Sequence, residues 1–539
     1  MVSQSLVAFD TDHIKGYVFG TSKLKEIRGA SSILDHLNRV ETVKEATKFG
    51  ARTIYSNGGS ACFVVDSDKA DQLGKTVQRL YLEKTAGGAS ITYAIQSIPP
   101  YGTQDIMSFE MPQELELLRW RLREAKNNLR EDDSSLTSIA QPSHALLCTC
   151  NSCGIAYAEE TRRDQDDPDE PEGRYCSVCL RKRDEDITIK TNIPGMIRAT
   201  REGRFSDETL WGRILESLSQ PGASGKPRYN LSSTPDRPSD FNIFRNFTGG
   251  KDYLGLIYAD VNGMGKALGK LNTLQEEEKF ANEVDNAVFE AMGYAISKHL
   301  PVENKLFPFD ILLVGGDDIV MVTPAVKALP VATTIAERFY ELTQKKYTLS
   351  VGIVLAPVKF PFSLQKALVD DILKAAKKAG SAGGASEQEQ TRIDFVVVTG
   401  STSLNYQKIH QQLHRKKTEF NGEEFYATLR PCTLEQLKDL LKNLEEGNEK
   451  RLGRTKLHQL REAILKLNRT TTILEALSVL RNWKEQERAF IKQLVDSFDT
   501  RPIPEKRRTG TLFPWYLEGT DTYRTPLLDF IELYDFVSF

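Results

Sequence analysis

Phe309-Asp310-Ile311-Leu312-Leu313-Val314-Gly315-Gly316-Asp317-Asp318-Ile319-Val320-Met321-Val322 sets two apolar runs around a glycine pair and two adjacent acids. Short runs this apolar read as strands. Gly315 and Gly316 permit the positive φ values of a tight hairpin between them. The tip then presents Asp317 and Asp318. A packed core has no use for two neighbouring acids, because unpaired buried charge is costly. Two readings fit: a solvated turn, where Asp is common, or a divalent-metal site, since Mg²⁺ takes carboxylate oxygens together with substrate phosphates.

Leu254-Gly255-Leu256-Ile257-Tyr258-Ala259-Asp260-Val261 is another strand, with Asp260 near its end. Asn262-Gly263-Met264-Gly265-Lys266 leads from it into a helical pattern. Alone, this is either an ordinary strand–turn–helix junction with Asp as a cap or a place where metal and phosphate sit side by side. With Asp317 and Asp318, Asp260 makes a three-carboxylate set of the kind used in two-metal phosphoryl transfer.

Leu256 to Gly265 and the Gly315–Asp318 hairpin resemble the palm of the type III CRISPR polymerase–cyclase family, which is similar to the palms of adenylyl cyclases and GGDEF-type diguanylate cyclases. Leu349-Ser350-Val351-Gly352-Ile353-Val354 resembles the strand after the hairpin. Val369 to Gly380 resembles the closing helix, whose lysine in that family reaches nucleotide phosphates; Lys377 stands at that position. Lys374 and Lys378 read as solvated helix lysines.

The N-terminal part repeats the pattern. Strand Ser5–Asp10, a helix from about Ser31, strand Thr53–Ser56, the turn Asn57-Gly58-Gly59-Ser60 and strand Ala61–Val65 follow the same order, with a late strand over Ala89–Ile98. This reads as an internal duplication. Aligned on the glycine pair, Ser60 and Ala61 stand where the second copy has Asp317 and Asp318, so the first copy lacks the carboxylates. Gly16 to Leu34 resembles the first palm of the same family, its Cmr-type branch especially. Within it, Arg28-Gly29-Ala30-Ser31-Ser32 is a small-residue helix start beside a cation, equally a phosphate or ribose seat and a plain capped helix. The resemblance favours the first, with Arg28 and Ser31 toward nucleotide.

Seven cysteines occur, five of them between positions 148 and 179. Cys150-x-x-Cys153 and Cys176-x-x-Cys179 stand 22 residues apart. Paired knuckles at this spacing read as a closed, structural four-thiolate Zn²⁺ site. Cys148 is a competing ligand, with the CxxC geometry favouring Cys150. Cys62 and Cys432 sit in apolar contexts and read as packed.

At 539 residues the chain is too long for one core and implies three or four domains. Hydrophobic content of 40% and charged content of 27% describe an ordinary globular protein. The net charge of −3 gives no global basic field for nucleic acid. No apolar run reaches the roughly 18 residues of a membrane span, and the start lacks a signal-peptide pattern. A cytoplasmic protein without a membrane partner is expected.

The expected architecture is α+β and multidomain, with two ferredoxin-like, GGDEF-cyclase-like palms. The expected divisions are a degenerate palm over 1–110, a helical and four-cysteine zinc module over 111–240, a catalytic palm over 241–430 and a C-terminal helical bundle over 431–539. Pro-, Ser- and Arg-rich residues 220–250 read as a linker; Arg162–Gly173 and Gly380–Gln390 read as polar loops.

The resemblance implies more. Members join ATP into cyclic oligoadenylates as the large subunit of RNA-guided effector complexes, with other effector subunits, guide RNA and target RNA as partners. Carried over, Asp260, Asp317 and Asp318 are catalytic and, with Val261, hold two Mg²⁺ or Mn²⁺ ions. Asn262, Gly263, Gly265, Gly315, Gly316, Lys377, Arg28 and Ser31 line the nucleotide. Many members also carry an HD nuclease domain. This sequence has no His-Asp dipeptide and opens at the first palm, so DNA cleavage is not expected. The alternatives are a stand-alone cyclase making a cyclic dinucleotide without guide RNA, and a non-catalytic nucleotide-binding scaffold.

Overall fold

The computed structural model describes residues 3–132, 148–163, 172–187, 209–219, 235–247, 252–381, 391–400, 405–416, 423–499, 513–518 and 521–536. Most of the 220–250 segment, the acidic centre of 162–173 and the 382–390 part of the Gly380–Gln390 loop lie outside these residues.

Strands β1 (Gln4–Thr11), β2 (Arg52–Asn57), β3 (Ser60–Asp66) and β4 (Ile91–Ser97) form an antiparallel sheet in the order β2-β3-β1-β4. Helices Leu24–His36 and Ala70–Lys84 belong to this unit. Helix Pro112–Asp132, assigned from sequence to the cysteine module, instead packs on the other face of the sheet. Its Leu115 and Leu118 lie buried with Leu6, Ala8, Ile54 and Cys62. Amphipathic spacing fixes a helix but not the surface that covers it.

A short antiparallel pair, β5 (Glu160–Arg162) and β6 (Gly173–Tyr175), accompanies the cysteines. The second large sheet contains β7 (Tyr253–Val261), β8 (Asp310–Gly315), β9 (Asp318–Pro324), β10 (Leu349–Pro357) and β11 (Arg392–Val397). Its strands β8-β9-β7-β10 repeat the order and antiparallel sense of β2-β3-β1-β4. Strand β7 is buried on both faces, which explains its unbroken apolar run. Ile257, Ala259 and Val261 face helices Leu274–His299 and Ala325–Leu342 in one core. Leu254, Leu256 and Tyr258 face the opposite way, into a core shared with helix Phe362–Ser381 and with the first palm. Asp260 has the parity of this second set.

The C-terminal third is not the purely helical bundle expected. Strands β12 (His414–Lys416) and β13 (Glu424–Tyr426) precede β14 (Cys432–Thr433), which joins the edge of the palm sheet beside β11. Four helices follow: Leu434–Glu449, Arg454–Ile464, Arg469–Arg481 and Glu485–Phe498. Then β15 (Tyr516–Glu518) and β16 (Thr522–Arg524) return to complete a small sheet, β12-β13-β16-β15, before helix Leu527–Leu533. Three-residue strands carry too little periodicity to read from sequence. Among the described residues, no helix is long and apolar enough to cross a membrane.

Candidate functional site

The register of β7 against β9 puts Asp260 directly opposite Asp318. Asp317 occupies the β8–β9 turn, and its backbone carbonyl accepts from the Val261 N–H at 3.1 Å. The three acids of the sequence reading therefore converge at one end of the sheet. They crowd one another. Asp260 is pushed up to about 7, first by burial and then by the charges of Asp318 and Asp317, against the pull of Lys377. Asp317 is pushed up to about 6 by burial and by Asp318. Acids crowded at one end of a sheet offer carboxylate oxygens of the kind a dication takes once their protons have left.

Two lysines answer this charge. Lys377, on helix Phe362–Ser381, places Nζ 2.5 Å from Asp260 Oδ1. Lys15, on the short helix Ile14–Val18 of the first palm, places Nζ 3.3 Å from Asp318 Oδ2 and 4.7 Å from the centre of the Tyr258 ring. The Tyr258 hydroxyl donates to Asp318 Oδ1 at 3.0 Å. Burial and Asp318 hold this phenol well above its usual range, so it stays a donor. Sequence reasoning found Lys377 and missed Lys15.

After Asp260 the chain turns through Gly263, at φ 74, into the short helix Met264–Leu268. No atom lies within 4 Å of where a side chain would begin at Gly263 or Gly265, so space opens beside the acids. Asn262 is more constrained. Its side-chain amide donates to Thr348 Oγ1 at 3.0 Å, and its Oδ1 accepts from Ser350 Oγ at 2.7 Å. These bonds tie the end of β7 to β10.

The first palm corrects the sequence alignment by one position. Asp10 lies opposite Ser60, as Asp260 lies opposite Asp318. The Thr11 N–H donates to the Gly59 carbonyl at 2.8 Å, as Val261 does to Asp317. Gly59 and Ser60, not Ser60 and Ala61, are thus the counterparts of Asp317 and Asp318. The turn spans Gly58-Gly59 in one palm and Gly316-Asp317 in the other, so matching the glycine pairs misplaces the register.

Arg28 does not face this site. Its guanidinium is buried and forms a bidentate pair with Asp186, at 2.8 and 3.0 Å. It also donates to Asp310 Oδ2 at 2.9 Å and to the Pro238 carbonyl at 2.8 Å. Arg237 pairs with the same Asp310. The expectation that Arg28 reaches nucleotide is therefore corrected: its charge is spent joining the first palm, the cysteine module and β8. Ser31 is buried on the same helix. A methyl on Gly29 would collide with the Lys182 carbonyl at 1.8 Å, so the small residues here admit a neighbouring helix, not a phosphate.

Cys150, Cys153, Cys176 and Cys179 do assemble, with sulfurs all within 4.8 Å of one another. The Cys153–Cys176 sulfur separation of 4.0 Å is far beyond a disulfide, about 2 Å, and suits four thiolates around one ion. Cys148 is exposed and lies against Arg174. Residues 177–187, helical after the second knuckle, dock on the first palm. Arg183 pairs with Glu26 at 2.6 Å, and Lys182 donates to the Tyr17 carbonyl at 2.5 Å.

A family model described as Cas10/Cmr2, second palm domain, matches residues 253–383. The CRISPR system single-strand-specific deoxyribonuclease Cas10/Csm1 (subtype III-A) of Mycobacterium tuberculosis is 28% identical over 148 residues, which is 25% of this chain and 18% of that protein. Solved structures of Csm1–Csm4 cassettes are similar in fold. The one in complex with cA3 has a TM-score of 0.56 at 13% identity, covering 99% of this chain and 70% of that one. The one with pppApApA has a TM-score of 0.55 at 13% identity, covering 99% and 69%. The one with cA4 has a TM-score of 0.52 at 14% identity, covering 89% and 65%. The chain thus matches under a fifth of the curated relative's length. The match to the second palm domain of Cas10/Cmr2 runs from the strand that carries Asp260 to the helix that carries Lys377.

Proposed function

We propose that this chain joins ATP into cyclic oligoadenylates as the large subunit of a type III CRISPR effector complex, a cytoplasmic assembly with other effector subunits, guide RNA and target RNA. The observation that carries the reading is Asp260 facing Asp318 across one strand pair with Asp317 beside them. Structures of similar fold in complex with cA3 and pppApApA support the substrate class.

Asp260, Asp317 and Asp318, with Val261 adjoining, hold two Mg²⁺ or Mn²⁺ ions. When bound, such ions activate a ribose hydroxyl and offset charge on the triphosphate and departing pyrophosphate. Metal binding at these carboxylates would compete with the proton that Asp260 holds up to about 7. Gly263 and Gly265 leave the turn after Asp260 clear of side chains for the nucleotide, whereas Gly315 and Gly316, expected from sequence to line it, instead admit the Gly58 backbone of the first palm. Asn262 acts by fixing the turn that frames this space. Lys377 neutralises the phosphate chain from the palm's own helix. The four cysteines hold a structural Zn²⁺.

The test is turnover of radiolabelled ATP by the chain alone and by the assembled complex with guide and target RNA. Cyclic product from the wild type, absent after joint Asp317→Ala and Asp318→Ala substitution, is expected. Undiminished cyclisation by the double variant would remove the assignment. Full activity of the chain alone would favour the stand-alone cyclase.

A further inference from the structure

We infer that Lys15 is a phosphate-binding residue that the first palm lends to the second palm's site, a deepening that rests on the nucleotidyl-transfer reading above. Lys15 crosses between units: its helix belongs to the first palm, and its Nζ lies 3.3 Å from Asp318 Oδ2 in the second. Among the described residues, it is the first-palm cation within ion-pair reach of the three acids. Its side chain is 48% exposed and that of Asp318 is 21% exposed. A pair this open contributes about 1 kcal/mol or less to stability. A role in holding the fold is therefore a poor account of it.

Its surroundings are more specific than its exposure. The buried Tyr258 ring lies beneath the ammonium at 4.7 Å, and the same ring's hydroxyl anchors Asp318. Cation, ring and carboxylate are thus fixed relative to one another. Lys366 lies over the same ring at 4.9 Å but is committed to Asp370 at 2.5 Å. Lys377 covers Asp260. Lys15 and the palm's own Lys377 therefore meet different members of the acid set, Asp318 and Asp260.

The duplication shows that the two palms differ in what each lends the other. Lys15 is the fifth residue after Asp10, and Gly265 is the fifth after Asp260. Each follows a left-handed residue, His13 at φ 48 and Gly263 at φ 74, that opens the short helix. The second palm has a glycine, and open space, where the first has its lysine. By the same correspondence a side chain at Gly265 would be directed to the first palm's hairpin, so the lysine is kept where it meets the palm that retains its acids. When ions take Asp318, Lys15 loses its carboxylate partner beside the polyphosphate of the seated nucleotide, and its ammonium donates to those phosphate oxygens.

This assigns Lys15 two opposite effects. It competes with metal for Asp318 in the nucleotide-free protein, and it aids nucleotide once metal is bound. Mn²⁺ binding to the full chain without nucleotide, followed by electron paramagnetic resonance, reads the first. Calorimetric titration in Mg²⁺ with an ATP analogue carrying carbon in its α–β bridge reads the second. Lys15→Met should bind Mn²⁺ about two- to fivefold tighter, the loss of one exposed pair. It should bind the analogue roughly tenfold or more weakly, the loss of one charge-assisted hydrogen bond. Lys15→Arg should restore most of the nucleotide affinity, and Lys15→Gln should repeat the signs of Lys15→Met. A variant that leaves both affinities unchanged, or weakens both, overturns the inference. Wild-type protein that binds neither Mn²⁺ nor analogue would instead overturn the nucleotidyl-transfer reading itself.

Discussion

Gly58 and Gly316 touch backbone to backbone, and each stands at the first turn position of its palm's hairpin. A methyl on Gly58 would lie 2.6 Å from the Gly316 Cα and N, and one on Gly316 would lie 3.2 Å from the Gly58 Cα. Both residues have φ 60. Equivalent positions in contact have the form of a local twofold. Glycine is the residue that bends through the left-handed region while letting another backbone approach this closely. The contact fixes the spacing of the palms close to where Lys15 meets Asp318.

Gly58→Ala should therefore force the hairpins apart and strain its own backbone, at a cost of about 1–3 kcal/mol. Turnover of ATP should fall further than the melting temperature suggests, because the second palm keeps its acids but loses its neighbour. Thermal melting and ATP turnover on the same preparation check this. Unchanged turnover would mean that the hairpin contact has no part in the chemistry.

Metal-free protein should lose stability as pH rises. Asp260 and Asp317 hold protons to about 7 and about 6 in the folded chain, against an ordinary 3.8. Between pH 4 and 7 the folded chain binds protons that the unfolded chain has released, so these groups make stability fall through that window and level off above it. Asp260→Asn should raise the melting temperature of the metal-free protein at pH 7.5, by on the order of 2 kcal/mol of stability, and have little effect at pH 4. In the wild type, Mg²⁺ should stabilise increasingly from pH 5 to 8 as the protons leave. Melting curves across pH, with and without Mg²⁺, decide it.

Arg28→Ala should act on folding. It would take the bidentate partner from buried Asp186 and leave buried Asp310 with Arg237 alone. Breaking a buried network from one side costs roughly 3–5 kcal/mol. Denaturant unfolding should show that loss, while protein that remains folded should bind an ATP analogue as the wild type does. Weakened nucleotide binding without loss of stability would return Arg28 to the nucleotide pocket.

The acids were legible as a set: a solvated turn or a cap explains each one alone, but two strand ends carrying three carboxylates in a recognisable pattern point to a shared site. The cysteine quartet was legible from spacing alone. Arg28 was misread because a cation beside small residues at a helix start looks alike whether it meets phosphate or carboxylate. Its acids, Asp186 and Asp310, lie 158 and 282 residues away. Lys15 was invisible because a half-exposed lysine on a five-residue helix resembles any surface lysine. Its one signal is positional, the match to Gly265 across the duplication. Strands β15 and β16 were missed because they are three residues each, and β16 pairs with β13, about a hundred residues earlier, while β15 pairs with β16.

Zinc should be present at about one ion per chain, as a closed set of four thiolates implies. Cys176→Ser, or a strong chelator, should lower the melting temperature by roughly 10 °C. The loss should reach beyond the cysteines, because residues 177–187 carry Lys182, Arg183 and Asp186, which grip the first palm. Elemental analysis and melting together test this. A metal-free preparation with an unchanged melting temperature would contradict it.

The first palm should be convertible toward metal binding only if a lysine is removed. Lys126, on helix Pro112–Asp132, places Nζ 2.5 Å from Asp10 Oδ2 and 3.7 Å from Asp12 Oδ1, and donates to the Thr11 carbonyl at 3.2 Å. Asp10 is the counterpart of Asp260, and Lys126 meets it as closely as Lys377 meets Asp260, but the added hold of Asp12 and the Thr11 carbonyl keeps Lys126 at the carboxylate where an ion would bind. Ser60→Asp restores the acid opposite Asp10 but leaves Lys126 in place, and should add no Mn²⁺ site. Ser60→Asp combined with Lys126→Ala should add one, weaker than that of the second palm. The weakness follows from Gly59, the counterpart of Asp317. A side chain there would be strained at φ 85 and would have to displace Ile14 Cδ1, 2.5 Å from its first carbon, so a third acid is costly. Lys126→Ala alone should cost about 1–3 kcal/mol, the price of leaving Asp10 without its charged partner. Counting bound Mn²⁺ by electron paramagnetic resonance separates these outcomes. A second ion in Ser60→Asp with Lys126 intact would show that the missing acid, and not the resident lysine, is what keeps metal out of the first palm.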